Sequence, residues 1–429
     1  MTTRPMRTAL ALATFLCARS VGAQGVGTTV ATLAVAGRSN ENVSIAASGQ
    51  FVAVAWSAST SNATDVFTAT SRDGGSSFST PVRVNATPGD ARVGGELPPR
   101  VALVTRKAGV PDVVVVWTTK GTAGTRLLVA RSTDGARTFG ANTVVPGGEG
   151  AGNRGWESIA VDSTGRVFVL WLDHRETVMP ASMHKHEPAV GAVGAAAQAP
   201  KPDPVEKAGK SQLYFSALDG SSARGIARGV CYCCKTSLAA AGTNVYAVWR
   251  HVFAGNQRDI GFTISRDGGR TFSDVVRVSD DHWQFDGCPE NGPAVAIGRD
   301  GRAQVVWPTP VDGKEGSPLG LYHAMSRDGR TFTARTRVPS RGAANHAQVT
   351  SAADGSFIVA WDELTDGTRR VALARGQVDA VGKATFTPMH TPEGGPGLYP
   401  ALATTTAGTV VAWVRRTDAG STIGVARVR

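Results

Sequence analysis

Long apolar runs are missing from this chain. Past residue 23 no stretch is apolar for long enough to cross a membrane as a helix, so a helical membrane protein is not expected. Sustained 3.6-residue periodicity is missing too, and nothing competes with a β reading. Cysteine is scarce, at five in 429 residues, and four of the five fall in two short segments, Cys231-Tyr232-Cys233-Cys234 and the stretch around Cys288. The formal charge is +11, but the basic residues are dispersed and no aromatic residues are interleaved with them. The footprint of a nucleic-acid binder is therefore lacking. A solvated basic surface is the simpler reading, with attraction to anionic glycans or envelope surfaces beside it.

What is present is a repeat. Ser71-Arg72-Asp73-Gly74-Gly75-Ser76-Ser77-Phe78 returns at Ser132–Phe139, at Ser265–Phe272 and, one residue shorter, at Ser326–Phe332. An apolar run ending in tryptophan recurs seven times, at Trp56, Trp117, Trp171, Trp249, Trp307, Trp361 and Trp413. The intervals are 61, 54, 78, 58, 54 and 52 residues. Each repeat reads as four short strands rich in β-branched residues, separated by Gly, Asp, Asn and Ser. Four strands per period of this length predict a β-propeller and not a solenoid. The fold class is therefore all-β, with seven blades expected and six plus an irregular repeat as the alternative. The last repeat holds only three strands, so a segment near 28–35 is expected to add the outer one and close the ring without an open edge.

Residues 1–23 read as a secretory signal: Arg4 and Arg7, an apolar 8–16, then Val21-Gly22-Ala23 before the cut. Leu16 before Cys17 does not suit lipidation. The expectation is an exported, periplasmic or secreted chain, with 24–429 as one propeller domain. Removing a leader that carries Arg4, Arg7 and Arg19 leaves a charge of +8. The long third interval contains an insertion, 176–211, rich in Ala, Pro, Gly and Lys, expected to be a mobile surface loop.

The pattern Ser-x-Asp-Gly-Gly-x-Thr-Phe resembles the Asp box, or bacterial neuraminidase repeat, of the sialidase superfamily. The copies at Asp73 and Asp267 fit best; those at Asp134 and Asp328 each depart at one position, and Asp219-Gly220 looks like a decayed fifth. The resemblance implies a structural turn between third and fourth strands, on the face away from the active site. It also implies a glycan-directed protein of exo-sialidase type, with an arginine cluster, a Tyr–Glu nucleophile pair and an acid/base Asp. Arg100, Arg175 and Arg250 occupy suitable strand ends, and Tyr399 falls where a nucleophile could. No Phe-Arg-Ile-Pro-like segment follows the leader, and fold alone does not specify activity.

Loops after each Trp strand and loops entering each first strand share the face opposite the Asp boxes. Candidate catalytic groups there are Asp173, Arg175, Arg250, Glu290, Glu363 and Tyr399, with Glu157, Asp362 and His346 nearby. Paired carboxylates across a polar pocket could run glycoside hydrolysis. Cys231, Cys233, Cys234 and Cys288 lie on neighbouring entering loops. In an exported chain they read most simply as two disulfides. The other reading is a copper or zinc site, or a redox module, joined by His184 and His186 in a segment that also holds Met179, Met183 and Glu187. The expected partner is a glycan or other small ligand on the loop face of a monomer; a protein-interaction scaffold is the remaining alternative.

Overall fold

The computed structural model describes residues 29–121, 123–177, 203–287, 289–314, 316–418 and 420–428. Seven four-stranded antiparallel sheets form the blades of a propeller. Blades 1 to 6 span 39–83, 100–144, 154–228, 237–277, 294–338 and 343–389, each with its strands in sequence order from the channel outward. Blade 7 takes its three inner strands from 397–428 and its outer strand from Val30–Leu33. That strand pairs antiparallel with Gly420–Val428, Val30 facing Ala426 and Leu33 facing Ile423. The ring thus closes by joining its two ends in one sheet, as the strand count required. Seven blades settle the choice against six.

The spacing of the tryptophans has a packing cause. Each sits near the end of its blade's second strand, 4 % exposed or less, and faces the preceding blade. Seven inter-sheet clusters result, each with one of these indoles. Trp117, for instance, meets Phe51, Ala53 and Ala55 of blade 1, and Trp361 meets Val306 and Leu321 of blade 5. Period-2 alternation sends the other face of each second strand to the next blade, which is why these runs read as continuously apolar. Most of the indole N–H groups are satisfied locally: Trp56 donates to Asn40, Trp171 to Asp173, Trp307 to Asp281 and Trp361 to Glu363.

The four repeated Asp turns join third to fourth strands. Asp73 Oδ1 accepts from Ser71 Oγ at 2.7 Å and from the amides of Ser76 and Ser77 at 2.9 and 3.0 Å. Asp134, Asp267 and Asp328 repeat this with Thr138, Thr271 and Thr331. Gly75 has φ +90 and Gly269 φ +85; a Cβ there would press on Val410 of blade 7 or on Phe215 of blade 3. The turns therefore brace each blade against its predecessor as well as reversing the chain. Of the 176–211 insertion expected as a mobile loop, residues 178–202 lie outside the described residues. Pro204–Gly209 is a short helix capped by Asp203, and its Ala208 is fully buried.

Removing residues through Val35 uncovers the edge of Gly420–Val428. The truncated chain is expected to melt several degrees lower and to self-associate, read by scanning calorimetry and size-exclusion chromatography. A second outcome concerns acid. Hydrogen bonds from Thr271 and Ser265 hold the Asp267 carboxyl well below the usual range. A depressed carboxylate stabilises the fold above its unfolded pKa near 4 and loses that contribution as pH falls. Asp267→Asn should lower Tm by a few degrees at pH 7 and by clearly less at pH 2, in scanning calorimetry.

Candidate functional site

Register places one residue of each inner strand opposite the residue before the blade tryptophan. These are Ser44, Arg100, Ser158, Ser237, Ala294, Gln348 and Ala401. Most of them line an axial cavity of about 190 Å³, to which Ser44, Ser158, Thr236 and Ser237 bring hydroxyls and Arg100 and Lys235 bring cations. Two residues upstream, on the face opposite the Asp turns, comes a second ring. Asn42, Trp156, His346 and Tyr399 stand there in blades 1, 3, 6 and 7, with Pro98, Lys235 and Gly292 in blades 2, 4 and 5.

The first four share an unusual backbone. Their φ values are 55, 57, 54 and 51, and each lies where the pairing with the second strand slips by a bulge. Left-handed non-glycine residues cost energy, and bulges re-aim side chains. Here the device repeats in four blades and turns chemically different side chains toward the channel mouth. Strain that recurs at one level of a scaffold, beside a polar cavity, marks the candidate site.

Within the mouth, His346 Nδ1 lies 2.6 Å from Asp362 Oδ2. The same oxygen accepts the Tyr399 amide at 3.0 Å, and Asp362 Oδ1 takes Arg369 at 2.6 Å. With Nδ1–H donated to Asp362, His346 keeps its Nε2 lone pair for the cavity it lines. The Tyr399 ring packs on the imidazole, centroids 4.0 Å apart. Burial, helped by Asp362, Glu96 and Glu290, pushes the Tyr399 phenol up to about 12, so it stays protonated. Glu96, from the loop entering blade 2, reaches across to accept the amides of Lys235 and Gly292 at 2.9 Å. A Cβ at Gly292 would collide with the Lys235 carbonyl, so this close crossing needs glycine. Lys235 Nζ donates to the carbonyls of Pro293 and Ala347, and burial brings it down to about 8. The space left at the mouth is about 20 Å³.

Beneath the mouth, Glu157 is fully enclosed. Burial raises its carboxyl to about 7 against the opposing Arg100 charge. Its Oε2 accepts from Thr118, while its Oε1 and Arg100 Nη2 have no protein partner. Unsatisfied buried polar atoms beside a polar cavity of this size are where ordered water belongs.

The sequence-derived candidates separate into groups. Tyr399 lines the mouth, and Glu290 sits exposed on the loop entering blade 5, with φ 46. Asp173 is instead buried structure. It accepts Trp171 Nε1 and Arg175 and lies 3.3 Å from Arg154, and these hydrogen bonds hold its carboxyl low despite burial. Arg175 stacks on the Tyr214 ring. Arg250 is 1 % exposed and gives its guanidinium to the carbonyls of Asn291, Arg258 and Pro308. Glu363 holds Trp361 and the Arg341 amide. The three arginines do not converge: only Arg100 borders the channel. Sequence reasoning missed Glu96, Lys235 and Asn42. A signal existed, since Asn42 and Lys235 sit 14 residues before their blade tryptophans.

Cys231, Cys233 and Cys234 do come together, their sulfurs within 4.8 Å of one another. Cys231 and Cys234 are free thiols, which departs from two disulfides, while Cys233 is disulfide-bonded. Cys288, His184 and His186 lie outside the described residues, as do residues 1–23, the segment expected to be a secretory signal.

No family model matches the chain, and no curated protein matches it in sequence. Solved structures do. The GH93 α-L-arabinofuranosidase of Fusarium graminearum is 13 % identical over 91 % of this chain and 93 % of its own, with a TM-score of 0.50. The polysaccharide lyase Uly1 is 11 % identical over 92 % and 91 %, again at 0.50. An intramolecular trans-sialidase from Ruminococcus gnavus is 13 % identical over 79 % and 94 %, at 0.45. The fold is a seven-bladed β-propeller.

Glu157 offers a pH test. The unfolded chain releases this proton near 4.5 and the fold keeps it to about 7, so its contribution to stability falls as pH rises through that window. The loss is on the order of 3 kcal/mol. Glu157→Gln stays neutral throughout. The stability difference, wild type minus variant, should therefore decline between pH 5 and pH 8 in urea melts.

Proposed function

We propose that this chain is a carbohydrate-active propeller that works at the mouth of its central channel, with His346 as the acid–base group. The observation that carries the reading is the Asp362–His346 pair, 2.6 Å apart, opening on the mouth cavity beside Tyr399. A carboxylate on Nδ1 fixes the tautomer and ring plane and steadies the imidazolium, leaving Nε2 to take a proton. A phenol held protonated can return one to a leaving oxygen. Base and acid on adjacent blades suit bond cleavage at a sugar, whether by elimination or by water.

The cavity limits what enters. A space of about 20 Å³ admits a group of one or two waters' size. The saccharide would rest on the rim and insert one hydroxyl or carboxylate. Lys235 and Arg100 border the mouth, which favours an anionic substituent. The like-folded arabinofuranosidase and polysaccharide lyase support a glycan as the class of ligand. Sialic-acid chemistry is not the form we favour, since Arg175 and Arg250 are committed elsewhere. Work outside the cytoplasm, as residues 1–23 suggest, belongs to the same proposal.

The test is a panel of neutral and uronate-bearing polysaccharides, scored for new reducing ends and for unsaturated uronate. His346→Ala should lower kcat by roughly 10²–10⁴-fold with Tm nearly unchanged. Asp362→Asn should lose kcat more than KM. Turnover that survives His346→Ala, or no binding anywhere in the panel, would sink the reading.

A further inference from the structure

The cysteines entering blade 4 form a second built site, independent of the glycan reading. Cys231 and Cys234 are each 1 % exposed, and their sulfurs stand 3.8 Å apart. Ala208, Val252 and partly buried Trp156 and Tyr232 close over them. Into this apolar pocket the protein places a guanidinium. Arg258 is 0 % exposed, and its Nη1 lies 3.2 Å from Cys231 Sγ. Its Nε and Nη2 have no hydrogen-bond partner, and among the described residues no carboxylate pairs with it. A buried cation without an anion is strongly unfavourable. Its Nη1 hydrogen bond to the Cys231 sulfur favours the thiolate there, with the Tyr232 ring alongside.

That pairing bears on what the two sulfurs can do. Closing them into a disulfide would pass two electrons and the thiol proton to an oxidant such as a hydroperoxide or a small disulfide. It would also leave the Arg258 guanidinium buried with no counter-charge. The fold thus disfavours the disulfide by stabilising the reduced form. A metal ion has the opposite effect. One monovalent cation with two thiolates carries a net charge of −1, and Arg258 makes the pocket neutral.

We propose that Cys231 and Cys234 form a two-coordinate thiolate site for a soft monovalent cation, copper(I) by its chemistry. Thiolates select copper(I) and zinc among the common metals. Zinc in a structural site takes four ligands, and with Cys233 in a disulfide the pocket offers two free sulfurs. A metal–sulfur bond of about 2.3 Å, the length to zinc, spans sulfurs up to ~4.6 Å apart, so sulfurs now 3.8 Å apart would separate by up to ~0.8 Å on binding in a linear arrangement. The ion is taken up as Cys234 gives its proton to solvent; no redox step is involved.

The full mature chain would first be denatured without reductant and its thiols counted, with two expected. It would then be titrated anaerobically with copper(I) against a competing chelator. One equivalent should bind, with two sulfur neighbours in the copper X-ray absorption spectrum. Cys231→Ser and Cys234→Ser should each weaken binding by more than 100-fold, beyond what outer-shell changes cost. The absorption spectrum of the wild type decides the matter even if a variant fails to fold. A Cys231–Cys234 disulfide in the unreduced protein, zinc held in preference to copper, or copper binding unchanged in both variants would each overturn the assignment.

Discussion

Everything in this molecule follows from how seven sheets are held face to face around an axis. One indole per interface sets the spacing between neighbouring blades, and the ring holds only if every interface is filled. Packing of this kind is cooperative, since loosening one interface opens the closure between the first and last strands. Seven blades also leave an axis that inner strands cannot fill with apolar side chains. The residues facing it are accordingly serine, glutamine and arginine as well as alanine. A polar channel is a consequence of the architecture, and the site is built on that consequence.

The channel mouth shows how a repeated scaffold acquires a single chemistry. The same bulge, with the same left-handed residue, occurs in four blades and presents asparagine, tryptophan, histidine and tyrosine. Backbone geometry is shared; side-chain identity is not. Glu96 then breaks the symmetry by spanning from the entrance of blade 2 to the backbones of blades 4 and 5. It lines the mouth together with His346 and Tyr399. That asymmetry distinguishes a site from a mere pore.

These two levels were not equally legible in the sequence. The blades could be read because packing demands the same residue at the same place seven times, and Trp56 or Asp267 need no knowledge of distant partners. The site could not be read in that way. Glu96 and Gly292 meet across 196 positions, and no local pattern announces such a pair. Asp173 and Glu363 looked available because they follow tryptophans. They are in fact the acceptors that satisfy those same indoles, and burial in a structural network is invisible to spacing. Arg250 was deceptive in the same way: a charged residue at a strand end reads as functional until its donors are found on three carbonyls. Tyr399 does line the mouth, because its position in the inner strand of the last blade is set by the repeat itself.

The cysteine pocket and the channel mouth share one wall. Cys231 donates its amide to the Arg250 carbonyl, Arg250 donates to the Asn291 carbonyl, and Asn291 Oδ1 accepts the His346 amide. Cys234 is followed directly by Lys235, whose ammonium reaches the inner strands of blades 5 and 6. This wall therefore carries Lys235, Arg250 and Arg258 inside the protein, each of them buried. Lys235 and Arg250 are satisfied by backbone carbonyls, which carry no net charge. Arg258 donates directly to the Cys231 sulfur, a group able to become an anion, and this difference sets the cysteines apart from the rest of the wall. Burying three cations in one loop region is costly, and carbonyl dipoles alone offset it only where every donor is used. At Arg258 two donors are left over, so the balance there depends on the charge of the neighbouring sulfur.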